Sequence, residues 1–218
     1  MTVLAIDRSA GVLSAAVAID GAVADAMECG SDFARKEDWL REVAGFARSA
    51  AAFPADVYVA GLGPGSFSGI RAVLAAMHGL ALPLGAKVCG LPSPYAYTSE
   101  KGLSAVIGDA RRGLCWSVVF DGIEKILDFA LAPAAETVRR VPAGCAVFSP
   151  DADRLGPALS EAFPGRFSPG PPNARRLAEI AAVHPGLLSR NPLPVYLTPA
   201  VRPPEMPQHQ TNAKHTGD

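Results

Sequence analysis

Apolar and polar positions along the chain switch repeatedly between a two-residue and a helical period. Val3 to Ile6 is a short apolar run ending in Asp7, Arg8-Ser9-Ala10-Gly11 reads as a turn, and Val12 to Ile19 is a second apolar run. Asp20-Gly21 is a strong hairpin signal, so Ala22 to Met27 completes an antiparallel meander. A helix follows, with Ser31 or Asp32 as its cap and with Trp39, Leu40, Val43, Phe46, Ala47 and Ala50 at helical spacing. Pro54 ends that unit. Val57 to Leu62 reads as a strand, Gly61 to Gly69 as a glycine-rich loop, and Ile70 to Leu82 as a second helix stopped by Pro83. Lys87 to Leu91 is another strand.

The pattern then restarts. VLAIDRSAGVLSAAVAIDG near the N-terminus has a counterpart in AVIGDARRGLCWSVVFDG. Each apolar strand ends in an aspartate, Asp7 or Asp109, with a glycine four positions on, Gly11 or Gly113, and each unit closes on Asp-Gly. Two such hairpins predict a duplicated fold of two lobes, 1–101 and 102–200, followed by a frayed tail over 201–218. The second half continues with helix near 134–140, strand near 146–149, helices near 154–163 and 173–183, and an extended run from Val195 to Thr198.

Composition narrows the chemistry. The chain is 49% hydrophobic and 19% charged, enough for a packed core, and its net charge of -1 offers no global attraction for a polyanion. No apolar run approaches the roughly 18 residues of a membrane span, and the N-terminus reads as a strand rather than a signal peptide. No membrane partner is expected, and the location expected is the cytoplasm. The four cysteines are far apart without a C-x-x-C pair, and the four histidines are scattered, so neither a zinc site nor a catalytic metal is expected.

The most specific motif is AGLGPGSFSGIR, Ala60 to Arg71, between strand and helix. Gly61, Gly63, Gly65 and Gly69 allow backbone to approach either a phosphate or another backbone, and Ser66, Ser68 and Arg71 are natural oxyanion partners beside a helix N-terminus. The loop is neither a Walker loop nor a dinucleotide fingerprint. It reads either as an anion-binding loop or as a structural turn. Asp7 and Asp109 have two readings also: magnesium-orienting acids of an actin-like ATPase, or turn caps. The residues that follow them, Arg8-Ser9 and Ala110-Arg111-Arg112, make poor phosphate cradles. The second helix is apolar nearly all round through Ile70, Val73, Leu74 and Met77. It demands burial on two sides, one of them supplied by a partner or else by the chain's own core. Gly65-Ser66-Phe67-Ser68-Gly69 has its serines at the wrong offsets for a nucleophile elbow, so a serine hydrolase is set aside. Arg111, Arg112, Arg139 and Arg140 have two readings, contact with RNA or solvated surface, and short basic pairs are more often the latter.

AID at Ala5 to Asp7, GPGSFSGIR at Gly63 to Arg71, DAR at Asp109 to Arg111 and PVYLTP at Pro194 to Pro199, in this order, resemble the TsaB (YeaZ) family over residues 1–204. The resemblance implies an α/β actin-like ATPase (RNase H-like, ASKHA) fold, with two pseudo-repeated lobes of mixed sheets flanked by helices. It implies a non-catalytic subunit of the complex that forms N6-threonylcarbamoyladenosine in tRNA. That subunit pairs through its N-terminal lobe with a TsaD-type catalytic subunit, joined by a TsaE-type ATPase. The contact falls on the two helices that carry Trp39, Leu40, Val43, Phe46, Ile70, Val73, Leu74 and Met77. Contact with tRNA is indirect, ATP or ADP with magnesium enters only in the assembled complex, and the chain alone forms a homodimer. An older family label, glycoprotease-like (peptidase M22), finds no protease mechanism here. The chain departs from the family where His-Ser-Glu is usual, having Phe33-Ala34-Arg35-Lys36-Glu37-Asp38. It departs again at Arg8-Ser9 in place of Thr-Ser, and at Leu114-Cys115-Trp116 in place of Glu-Val-Tyr. Two other functions are weighed: an independent actin-like small kinase or ATPase, and a self-associating scaffold.

Overall fold

The computed structural model describes residues 1–30, 39–50 and 53–197. The expected cap at Ser31 or Asp32, the segment 33–38, Thr198, Pro199 and the tail lie outside the described residues.

The first lobe is built from β1 (Thr2–Asp7), β2 (Leu13–Ile19), β3 (Ala22–Cys29), α1 (Trp39–Ser49), β4 (Val57–Gly61), α2 (Phe67–Ala81) and β5 (Lys87–Leu91). The second holds β6 (Leu103–Arg111), β7 (Leu114–Asp121), β8 (Glu124–Pro133), α3 (Ala134–Arg140), β9 (Ala146–Ser149), α4 (Ala152–Ala162) and β10 (Phe167–Pro169), after which comes α5 (Ala174–Val183). The sheets run β3-β2-β1-β4-β5 and β8-β7-β6-β9-β10. In each, the first three strands pair antiparallel and the last two are parallel. The internal repeat is therefore a repeat of topology, and the fold is the two-lobed actin-like α/β class expected.

The repeat extends to backbone conformation. Gly11 and Gly113 have φ of +78° and +77°, a region that glycine enters without the Cβ penalty. Asp20 and Gly21 both have positive φ, as the tight turn joining β2 and β3 requires. The second copy differs by one residue. Asp121 pairs with Glu124, so Gly122 and Ile123 form the loop.

Three cores hold these layers. On one face of the first sheet, Leu4, Ile6, Leu13, Ala15 and Val17 meet α1 and α2. On its other face, Val3, Ala5, Ala16, Ala18 and Val59 meet Val106, Trp116, Val118 and Phe120 of the second lobe together with α5. The third core joins Ala105, Ile107 and Val147 to Leu159 and Phe163 of α4. β1 is thus buried on both faces, which is why it reads as a continuous apolar run rather than an alternation.

α5 follows the second lobe in sequence but lies on the first lobe's sheet. Asn173 caps it by accepting from the Arg175 N–H at 2.8 Å and ties it to β3 by donating to Glu28 at 2.8 Å. The Ala174 N–H donates to Ser14 Oγ of β2 at 3.0 Å. Leu177 and Ile180 are fully buried there, each contributing roughly 1.5 to 3 kcal/mol of transfer free energy. Beyond α5 the chain returns along the first lobe, with Ser189 bridging Gly90 and the Val195 N–H donating to the Leu62 carbonyl at 2.8 Å. The extended run from Val195 is therefore a strap across the glycine loop, not a sheet strand.

α2 corrects two expectations. The stretch Phe67–Leu84 does reach 18 residues at a mean hydropathy of 1.4, the length and composition of a membrane span. The helix has one buried face, not two. Ile70, Val73 and Met77 are wholly inside and Leu74 nearly so, while Arg71, Ala75, His78, Gly79 and Leu82 face outward. Alanine raises the hydropathy without adding much side chain that needs cover. On α1, Trp39 and Val43 are buried while Leu40 and Phe46 pack half-buried against the same core. The side chains expected to meet a partner through α2 thus fill the chain's own interior.

Candidate functional site

The lobes enclose a cleft of about 880 Å³, lined among others by Ser9, Gly65, Ser66, Phe67, Asp109, Arg111, Trp116, Asp151, Arg154 and Tyr196. Of the sequence-nominated loop residues it gathers Gly65, Ser66 and Asp109. Asp7, Gly63, Gly69, Ser68 and Arg71 do not line it.

Asp7, at the end of β1, is fully buried. One carboxylate oxygen accepts from the Ser9 N–H and the Ser9 hydroxyl, both at 2.7 Å. The other accepts from the Ser93 hydroxyl at 2.5 Å, and Ser93 Oγ in turn accepts from the Gly63 N–H at 2.9 Å. Burial pushes the Asp7 carboxyl above its ordinary range, and the hydrogen bonds from Ser93 and Ser9 oppose it. This carboxylate fastens β1, the glycine loop and the short 3₁₀ turn Ser93–Tyr97 to one another.

Gly65 and Gly69 serve backbone-to-backbone contact, and Gly61 makes room for the Asp7 carboxylate. A Cβ on Gly65 would stand 2.2 Å from the Ser9 carbonyl oxygen, one on Gly69 2.3 Å from the Arg8 carbonyl oxygen, and one on Gly61 1.9 Å from Asp7 Oδ2. The Ser66 N–H donates to the Ser9 carbonyl at 2.6 Å. Ser66 Oγ caps α2 by accepting from the Gly69 N–H at 3.2 Å. Arg71 lies over the Phe67 ring at 4.9 Å, and Phe67 stacks on Tyr196 of the strap at 5.2 Å. Of the two readings of the motif, the close-packed turn is the one these contacts describe.

The second lobe meets the cleft with charge. Asp109 accepts from the Arg111 N–H at 2.8 Å and pairs with Arg154 Nε at 2.5 Å. Asp151 accepts from the Asp109 N–H at 2.8 Å, takes an ion pair from the Nη2 of Arg154, and is itself positioned by Ser149 Oγ, which accepts from the Asp151 N–H at 3.1 Å. Sequence reading did not find Asp151 or Arg154. The available signal was an aspartate at the end of a strand with an arginine three residues on, inside the first turn of a helix.

An actin-like fold carries a magnesium nucleotide in such a cleft, with acids near the metal and hairpin N–H groups on the phosphates. The residues here do not fit that group. Both oxygens of Asp7, Asp109 and Asp151 already accept hydrogen bonds or ion pairs, and the Ser66 N–H is spent on the Ser9 carbonyl. Among the described residues, no group of three or more histidine, cysteine or acidic side chains is placed to hold a metal.

No protein-family profile matches the chain, and no curated protein does. Solved structures do. A Pseudomonas aeruginosa protein described as similar to the peptidase YeaZ superposes with a TM-score of 0.67 at 23% identity, over 90% of this chain and 99% of its own. YeaZ from Pseudomonas aeruginosa superposes with a TM-score of 0.66 at 24% identity, over 90% of this chain and 100% of its own. The chain has the fold of these YeaZ structures from end to end of theirs.

Proposed function

We propose that the chain is a TsaB (YeaZ)-type, non-catalytic subunit of the complex that forms N6-threonylcarbamoyladenosine in tRNA. In this reading it works in the cytoplasm, pairs through its first lobe with a TsaD-type catalytic subunit, and meets a TsaE-type ATPase through that pair. Contact with tRNA stays indirect, and any ATP with magnesium belongs to the assembled complex. The observation that carries the reading is the likeness to YeaZ over 90% of this chain and 100% of that one, together with the Gly63 to Arg71 motif at the junction of β4 and α2. The closed hydrogen bonding of Asp7 and Asp109 favours a support role over an independent kinase.

The contact on the first lobe would use the outward face of α2, Arg71, Ala75, His78 and Leu82, with Leu40 and Phe46 of α1 at its edge. Leu82 is 83% exposed, which also suits a homodimer in the absence of the partner. Affinity capture of the tagged full chain from its native cell should bring down a TsaD-type protein, and depletion of the chain should lower threonylcarbamoyladenosine in tRNA. A chain recovered alone, with the modification unchanged on depletion, would overturn the proposal.

A further inference from the structure

We infer that the Arg154 guanidinium is the fixed counter-ion of the interlobe cleft, standing between two carboxylates that would otherwise draw a divalent cation. This does not depend on the tRNA-modification reading.

Asp109 lies on β6 and Asp151 two residues beyond the neighbouring parallel strand β9, at the N-cap of α4, so the topology itself brings them together. Asp153 lines the same cleft. Carboxylates converging in this way are the donors hard divalent ions take, and a cation between them relieves their mutual repulsion while both stay ionised. Here the cation that bridges both acids is supplied by the first turn of α4, with the Arg111 Nη1 a more distant second charge, 3.5 Å from Asp109 alone. Arg154 reaches Asp109 through Nε at 2.5 Å and Asp151 through Nη2. The remaining oxygen of each acid accepts a backbone N–H at 2.8 Å. All four carboxylate oxygens thus have a donor. A guanidinium is not deprotonated in proteins, so the counter-ion is permanent, and a metal must displace a paired charge to enter. A magnesium nucleotide in an assembled complex would accordingly rest on residues outside this cleft.

Terbium(III) is a suitable probe, because Trp116 lines the cleft and packs over Gly108 beside Asp109, where it can sensitise the ion's emission. The full-length wild type should show no saturable emission that depends on Asp151. Arg154→Ala should gain one, with a dissociation constant on the order of 10⁻⁴ M or tighter. Magnesium should compete for it, and a further Asp151→Asn should abolish it. Arg154→Lys, which keeps the charge, should stay dark. Circular dichroism verifies folding, and Arg154→Gln replaces the alanine variant should that one unfold, with the same gain expected. Saturable, Asp151-dependent emission from the wild type would overturn the inference, as would a folded charge-removed variant that gains none.

Discussion

Asp7 and Asp109 occupy matching places near the ends of the central strands of the two lobes, yet their surroundings are opposite in kind. Asp7 is sealed and answered by neutral donors, two hydroxyls and an N–H, on the Ser9 turn and the Ser93 segment. Asp109 is partly open to the cleft and answered by the cations Arg111 and Arg154. The turn after Asp7 is long enough to receive the glycine loop, whereas the one after Asp109 is tight, with Arg111 and Arg112 both at positive φ. One topology, copied, has produced a dry structural knot in one lobe and an ionic cluster in the other. The carboxylate alone therefore says little about chemistry; what its oxygens accept decides.

The largest test of that contrast lies on α2. Met77→Glu places an unpaired charge in the first core and should cost about 3 to 5 kcal/mol, enough to lose the cooperative melt. His78→Glu, one residue away on the outer face, should leave the melt within about 0.5 kcal/mol of wild type. If α2 is the contact surface, it should still weaken capture of a TsaD-type partner. Gly65→Ala should cost roughly 1 to 3 kcal/mol, because the Ser9 backbone must withdraw, while Gly113→Ala in the tight turn acts only through its φ. Chemical denaturation of both variants gives the comparison.

Titration probes the sealed acid, Asp7, by itself. The folded-state pKa of Asp7 is raised, so its contribution to stability is greatest below the ordinary carboxylate range. That contribution is lost as pH rises from that range through the raised value. Asp7→Asn should flatten this fall while leaving the rest of the pH profile in place, as followed by melting temperature against pH. A variant with an unchanged slope would show that Asp7 titrates as an ordinary acid. Asp109→Asn should have the smallest effect, about 1 kcal/mol or less, and should shrink further in high salt, since Arg154 and Arg111 are partly exposed.

The strands, the two hairpins and the duplicated halves were legible because β1, β2, β6 and β7 are mainly apolar, interrupted inside the strands by little more than serine or glycine, and each copy repeats aspartate, glycine and Asp-Gly at similar spacing. β8 was missed because it is an edge strand with Glu124, Lys125 and Asp128 among its apolar positions, and β10 because three residues carry no period. The site was read less well. Asp7 and the glycine loop were found as a motif, but whether the glycines faced a ligand or a backbone depends on a contact with residues 8 and 9 that spacing does not encode. Asp151 and Arg154 acquire meaning only once β9 lies beside β6. The apolar count of α2 overstated its need for cover, because the outward-facing Ala75 and Gly79 carry almost no side chain.

α5 sets the order in which the molecule can be completed during synthesis. Until residues 174–183 have left the ribosome, Val3, Ala5, Ala16 and Ala18 lack part of the cover on one face of the first sheet. The first lobe emerges before its cover, so a nascent chain carries a sticky, half-clad sheet until α5 arrives. Fragments that stop at the apparent boundary between the lobes should consequently aggregate, however well formed their strands.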